Sequence, residues 1–107
     1  MKNTVTFKQA IEDIEENEGW LYCNTTEKPD ENSAAFFYKA DLELSPAEEK
    51  ETRDEFKKSG FQPYLTKEDI EDVIFNLEEQ VENPTFNEKL KAIRYFHEND
   101  AFIEMDK

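Results

Sequence analysis

Thr66–Ile103, TKEDIEDVIFNLEEQVENPTFNEKLKAIRYFHENDAFI, is the stretch whose reading decides the fold. Ile70, Val73, Ile74, Leu77 and Val81 fall on one stripe at helical spacing, and Glu68, Asp72, Glu79 and Glu82 fall on the far side. The spacing therefore predicts a helix with one packing face and one anionic face. Thr66 is its N-cap, Leu65 and Ile70 are placed as a hydrophobic staple, and the early acids Glu68 and Asp69 suit the positive end of the helix dipole. Asn83-Pro84 stops this helix, because proline lacks the N–H that would continue it. Thr85 and Glu88 then form a second capping box, and Phe86, Leu90, Ile93 and Phe96 give the last helix its packed side. Lys89, Lys91 and Arg94 are available to pair with acids of the preceding helix, although exposed pairs contribute only about 0 to 1 kcal/mol. Ala101-Phe102-Ile103 admits two readings, a last helical turn or a fourth strand.

Upstream, Val5-Thr6-Phe7-Lys8-Gln9 reads as a helix start, with Thr6 as N-cap, Gln9 able to reach back, and Val5 placed to staple on Ala10. Phe7, Ala10, Ile11 and Ile14 share a face; Glu12, Asp13, Glu15 and Glu16 lie elsewhere, so the outer side is acidic. A glycine tolerates the left-handed turn that follows a helix, which places the end between Asn17 and Gly19. Trp20-Leu21-Tyr22-Cys23 is short and aromatic, and reads as a strand with Trp20 and Tyr22 on one face and Leu21 and Cys23 on the other. The loop NTTEKPDENS is longer than a tight hairpin and is expected to be mobile. Ala34–Ala40 is the natural antiparallel partner of the first strand.

Ser45-Pro46-Ala47-Glu48 carries a helix-start signal, yet in the following run only Ala47 and Phe56 are apolar and they lie on opposite sides. Residues 46–58 therefore read as either an exposed helix or a loop, pinned at Phe56 if anywhere. Gly60 ends the segment, and Phe61–Leu65 supplies a short edge strand, since Pro63 cannot donate to a central ladder. The whole, residues 1–107, is expected to form one α+β domain. Its small, mainly antiparallel sheet, from the segments near 20, 36 and 62, is covered on one face by three main helices beginning near 7, 67 and 86.

Composition bounds the function. Leu, Ile, Val and Phe make up 24 residues, roughly 22 % of the chain and just above the ~20 % below which a highly charged chain stays disordered. Nine Phe, four Tyr and one Trp make the core ring-rich. Twenty-seven acids against 13 bases leave a net charge of −14, which repels nucleic acid and anionic membrane and favours basic protein surfaces. Solubility alone is the competing account of that charge. The N-terminal run turns acidic early and no apolar run approaches the ~18 residues of a membrane span, so no signal peptide or span is expected. A single cysteine suits a reducing cytosol.

No catalytic or metal-binding pattern emerges, and neither enzymatic activity nor a cofactor is expected. Two widely separated glycines make no phosphate loop, and Asp30-Glu31-Asn32 lacks the glycine and ligand series of a calcium loop. Cys23 reads as a small buried side chain rather than a nucleophile. His97 lies four residues after Ile93, on the apolar side of the last helix, and reads as structural. With so many acids, a close carboxylate pair has no diagnostic value.

Three features together, a short extended piece before the Thr66 cap, then Asp72-Val73-Ile74-Phe75-Asn76, then Leu90–Ile103 with its Asn99-Asp100-Ala101-Phe102-Ile103 tail, resemble a family of small bacterial proteins. Some of that family are similar to immunity proteins of contact-dependent growth inhibition systems, which neutralise the toxic C-terminal domain of a neighbour's surface protein. The resemblance covers the chain from about Phe61 onward; the N-terminal helix and Trp20-Leu21-Tyr22 fit more loosely. It implies a cytoplasmic inhibitor of a toxin, a basic nuclease being the kind the charge fits, and it carries no site residues across. The alternative is a non-catalytic acidic adaptor or regulator of another basic protein. Either would be a monomer or weak dimer.

Phe75 carries the sharpest expectation. On a helical wheel it lies about 140° from the Ile70 stripe, among Glu68, Glu71, Asp72, Glu79 and Glu82. Either the ring is buried beneath another element such as the segment around Phe56, or it is the apolar anchor of a partner-binding surface with those five carboxylates as its steering rim.

Overall fold

The computed structural model describes residues 4–25, 28–40 and 42–105. Four strands form one antiparallel sheet in the order β1-β3-β2-β4, with β1 Val5–Thr6, β2 Trp20–Cys23, β3 Ala34–Tyr38 and β4 Gln62–Thr66. The fold is α+β. Four helices accompany the sheet: α1 Phe7–Glu12, continued by a 3-10 turn at Ile14–Glu16, α2 Pro46–Lys58, α3 Lys67–Gln80 and α4 Phe86–Asn99.

Alternation along β2 divides the molecule. Leu21 and Cys23 enter the main core with Ala35 and Phe37 of β3, where Phe7, Ile11 and Ile14 pack beside Ile70, Val73 and Leu77 of α3 and Leu90 and Ile93 of α4. Tyr22 points the other way and joins Phe36, Phe56 and Phe61 in a second, aromatic core. The expectation that the sheet is covered on one face is therefore corrected: α2 covers the opposite face. It does so through a single buried side chain, Phe56, whose ring sits 5.2 Å from Tyr22, 4.9 Å from Phe36 and 5.0 Å from Tyr38. Local signals form the helix, because the Ser45–Glu48 capping box closes and Pro46 stands at its first position. One ring and the Tyr38 hydroxyl, donating to Glu49 at 2.8 Å, tie it down.

β4 lies at the sheet edge, as Pro63 requires. Leu21 pairs with Leu65 and Tyr22 with Pro63, which leaves Tyr64 as the extra residue of a bulge. The bulge lets Tyr64 and Leu65 both enter the main core, where Tyr64 stacks on His97 at 4.0 Å and meets Phe7 edge-on at 6.0 Å. His97 is therefore held by ring stacking and, among the described residues, not by the carbonyl and helix-dipole contact expected of it near the end of α4. Cys23 is fully buried, and burial pushes its thiol up to about 12, as a small core side chain rather than a nucleophile.

Several expectations shift. Gln9 donates to Asp13 and does not close a capping box, although Thr6 caps α1. The loop after β2 is tied down at 29–33, where Phe7 N–H donates to the Ser33 carbonyl, Lys8 N–H to that of Glu31, and Arg94 Nε to that of Pro29 at 2.7 Å; residues 26 and 27 lie outside the described ones. Arg94 is thereby used on backbone, and neither it nor Lys89 nor Lys91 forms an ion pair with α3 among the described residues. The tail at 101–103 is neither helix nor strand. Asp100 takes the left-handed conformation that ends α4, Ile103 is buried, and Gln80 clasps the tail by donating to the Ile103 carbonyl and accepting from Met105 N–H.

Candidate functional site

α3 buries Ile70, Val73 and Leu77, so its rotation is fixed and Phe75 is turned outward. The ring is 66 % exposed. The reading in which the segment around Phe56 covers Phe75 is corrected, because Phe56 is committed to the aromatic core on the other side of the sheet.

Beside the ring runs a groove of about 720 Å³. Its apolar members are Ile11 and Ile14 from the first helical segment and Ile74 and Phe75 from α3. Acids stand on both sides, Glu12 and Glu15 on one and Glu71, Asp72 and Glu78 on the other, against Lys89 as the one base lining it. None of these five carboxylates has a hydrogen-bond or ion-pair partner among the described residues. Lys89 lines the groove and Lys67 Nζ donates to the Glu15 carbonyl at 3.5 Å, so the margin stays net acidic with two bases close by. Such a margin attracts cations at long range, and the apolar side chains beside it reward burial of an apolar group at contact.

Of the six residues read from the sequence as a binding face, the groove brings together Glu71, Asp72 and Phe75. Glu68, Glu79 and Glu82 are exposed but line no part of it. Sequence reasoning did not place Ile74, Glu78 or Lys89 at the groove, nor the first-helix residues Ile11, Glu12, Ile14 and Glu15. Their acidic outer face was legible, but its position across from α3 depends on the tertiary fold.

A second cleft, about 500 Å³, lies between α2 and the sheet, with Trp20, Tyr22, Tyr38 and Pro63 on one side and Glu49, Lys50, Arg53, Asp54 and Lys57 on the other. Trp20 is 46 % exposed there. Its charges are largely satisfied internally: Lys50 pairs with Asp54 at 3.3 Å, Arg53 approaches Glu49 at 3.7 Å, and Glu49 accepts from Tyr38. The α1–α3 groove is the stronger candidate because its carboxylates have no side-chain partners among the described residues.

Among the described residues no group of His, Cys, Asp and Glu is arranged to hold a metal ion. No described helix is long and apolar enough to cross a membrane. Comparison with curated proteins and with solved structures finds no match. The profile of a domain of unknown function, DUF7716, matches residues 4–105, nearly the whole chain, and the protein belongs to that family.

Proposed function

We propose that the protein is a cytoplasmic immunity protein that binds a cognate bacterial toxin domain, a basic nuclease by charge, and neutralises it by covering its active site. The observation that carries this reading is a largely bare aromatic side chain, Phe75, set among carboxylates that have no side-chain partners among the described residues. An aromatic side chain at the centre of an interface can supply about 2 kcal/mol or more of affinity. The acids around it raise the rate of encounter with a basic surface and reject anionic ones. Inhibition then needs no chemistry on this chain, since a seated inhibitor keeps nucleic acid from the toxin.

The test is expression of the toxin domain encoded directly upstream, with and without this protein, scored by growth and by isolation of the complex. Protection, together with an affinity that weakens strongly as salt rises, is the expected result, because exposed charges are screened beyond about 10 Å at 0.1 M salt. The absence of a neighbouring toxin gene, or a toxin undiminished by a molar excess of the protein, overturns the immunity reading. Binding to a different basic protein at the same surface would instead make it an adaptor.

A further inference from the structure

Both banks of the α1–α3 groove carry acids, and this two-sidedness limits what could lie along it. Glu12 and Glu15 stand three residues apart across the junction of α1 with the 3-10 turn, and Glu71 and Glu78 stand two helical turns apart on α3. The apolar lining is Ile74 and Phe75 of α3, with Ile11 and Ile14 buried beneath, and on the helical wheel Phe75 stands on the same outward side of α3 as Glu71 and Glu78. A flat basic surface would reach the outer carboxylates of α3 and leave the apolar floor empty. Among the described residues a divalent cation has no cluster of ligands to bind. A second copy of this chain would bring a further −14 charges to the same place. A rod with an apolar stripe and cations on both flanks satisfies the floor and both banks together, which is the helix-in-groove mode of recognition.

We propose that the groove seats a cationic amphipathic helix of the partner. One apolar side chain of that helix packs against Phe75 and Ile74, and Lys or Arg side chains on its flanks meet Glu12 and Glu15 on one bank and Glu71 and Glu78 on the other. The proposal rests on the binding reading above and names the segment that is recognised. It also gives the acidic outer side of the first helical segment, to which the sequence alone assigns no contact, a share of the interface.

A labelled synthetic peptide of about four helical turns, with Leu at i, i+3, i+4 and i+7 and Lys or Arg elsewhere, tests this by fluorescence anisotropy on the full chain. The comparison peptide has the same composition with the leucines scattered round the helix. The amphipathic peptide should bind about tenfold tighter or more than the scattered one. Glu12→Lys with Glu15→Lys should weaken it by about tenfold or more, because each reversal turns an attraction into a repulsion. Glu79→Lys with Glu82→Lys, the same change of charge outside the groove, should cost less than about threefold. All four positions are exposed, and circular dichroism of each variant verifies its fold. Equal binding of the two peptides, or equal losses in the two double variants, means attraction by net charge alone and overturns the proposal. The two readings fail separately. If the peptide pattern holds but no toxin is neutralised, the immunity role falls and the groove assignment stands; if the Glu12→Lys, Glu15→Lys variant protects against the toxin as well as the parent, the groove assignment falls and the role stands.

Discussion

Replacing Phe75 with alanine separates anchor from core, and the structure sets the magnitude. A buried Phe removes roughly 200 Å² from water, so a ring that is 66 % exposed has about 70 Å² at stake. At about 25 cal/mol per Å² that is ~1.7 kcal/mol as an upper bound, and alanine returns about 0.5 kcal/mol through its higher helix propensity. Phe75→Ala should therefore cost only about 1 kcal/mol of folding stability. Phe56→Ala is the internal standard: that ring is 4 % exposed and touches three other rings, so its loss should cost about 3 to 5 kcal/mol. Urea unfolding followed by the fluorescence of Trp20, the single tryptophan, measures both. Affinity for the toxin domain should meanwhile fall about thirtyfold or more in Phe75→Ala. A stability loss as large as that of Phe56→Ala would mean that the ring is covered. A variant that folds normally and binds as tightly as the parent would end the anchor role.

Gly19 has φ +90, and a Cβ there would run into the backbone carbonyl of Tyr38, whereas Gly60 has the same φ with open space around it. Gly60→Ala should cost about 1 to 2 kcal/mol for backbone conformation alone, and Gly19→Ala distinctly more; equal midpoints in urea would contradict the close approach. Cys23, with its thiol held up at about 12, should react with a thiol reagent at pH 8 only through unfolding, about 10³-fold or more slower than in denaturant; rapid labelling of the native protein would refute this. His97 is lowered chiefly by burial, with the charge of Glu98 opposing. The unfolded chain therefore binds a proton first, and His97's share of stability is complete above about pH 6.5 and declines as pH falls below it. His97→Gln should flatten that part of the stability profile, and an unchanged slope would count against it.

Legibility followed the range of the interactions. The caps of α2, α3 and α4 were readable because Ser45, Thr66 and Thr85 each bond a backbone N–H only three residues on. The stripe Ile70, Val73, Leu77 was readable because helical periodicity is local. β1 escaped notice: two residues carry no pattern, and Val5 and Thr6 become a strand only by pairing with Ala35 and Ala34. The bulge at Tyr64, which turns that ring toward His97, depends on register against β2. Arg94 looked like a surface cation until a loop 65 residues earlier in the chain presented the Pro29 carbonyl to it. The absence of an apolar stripe argued against α2, but a helix whose cap is satisfied needs only one well-placed ring to dock.

The site was half legible for the same reason. A helical wheel places Phe75 among acids but cannot say which acids share its height and its neighbours, and three of the six chosen stand outside the groove. What the fold adds is a division of labour among the bases. Lys39 pairs with Glu18, Lys50 and Arg53 pair along α2, and Arg94 serves a backbone carbonyl, so these bases are spent away from the groove. Solubility alone would account for a net charge of −14 spread over the surface. It does not select the place where acids of two helical segments, without side-chain partners among the described residues, line one groove beside a Phe75 ring held outward by a helix fixed in rotation on its opposite face. A cationic segment laid along the groove would meet acids of both helical segments at once, which a uniformly spread charge would not require.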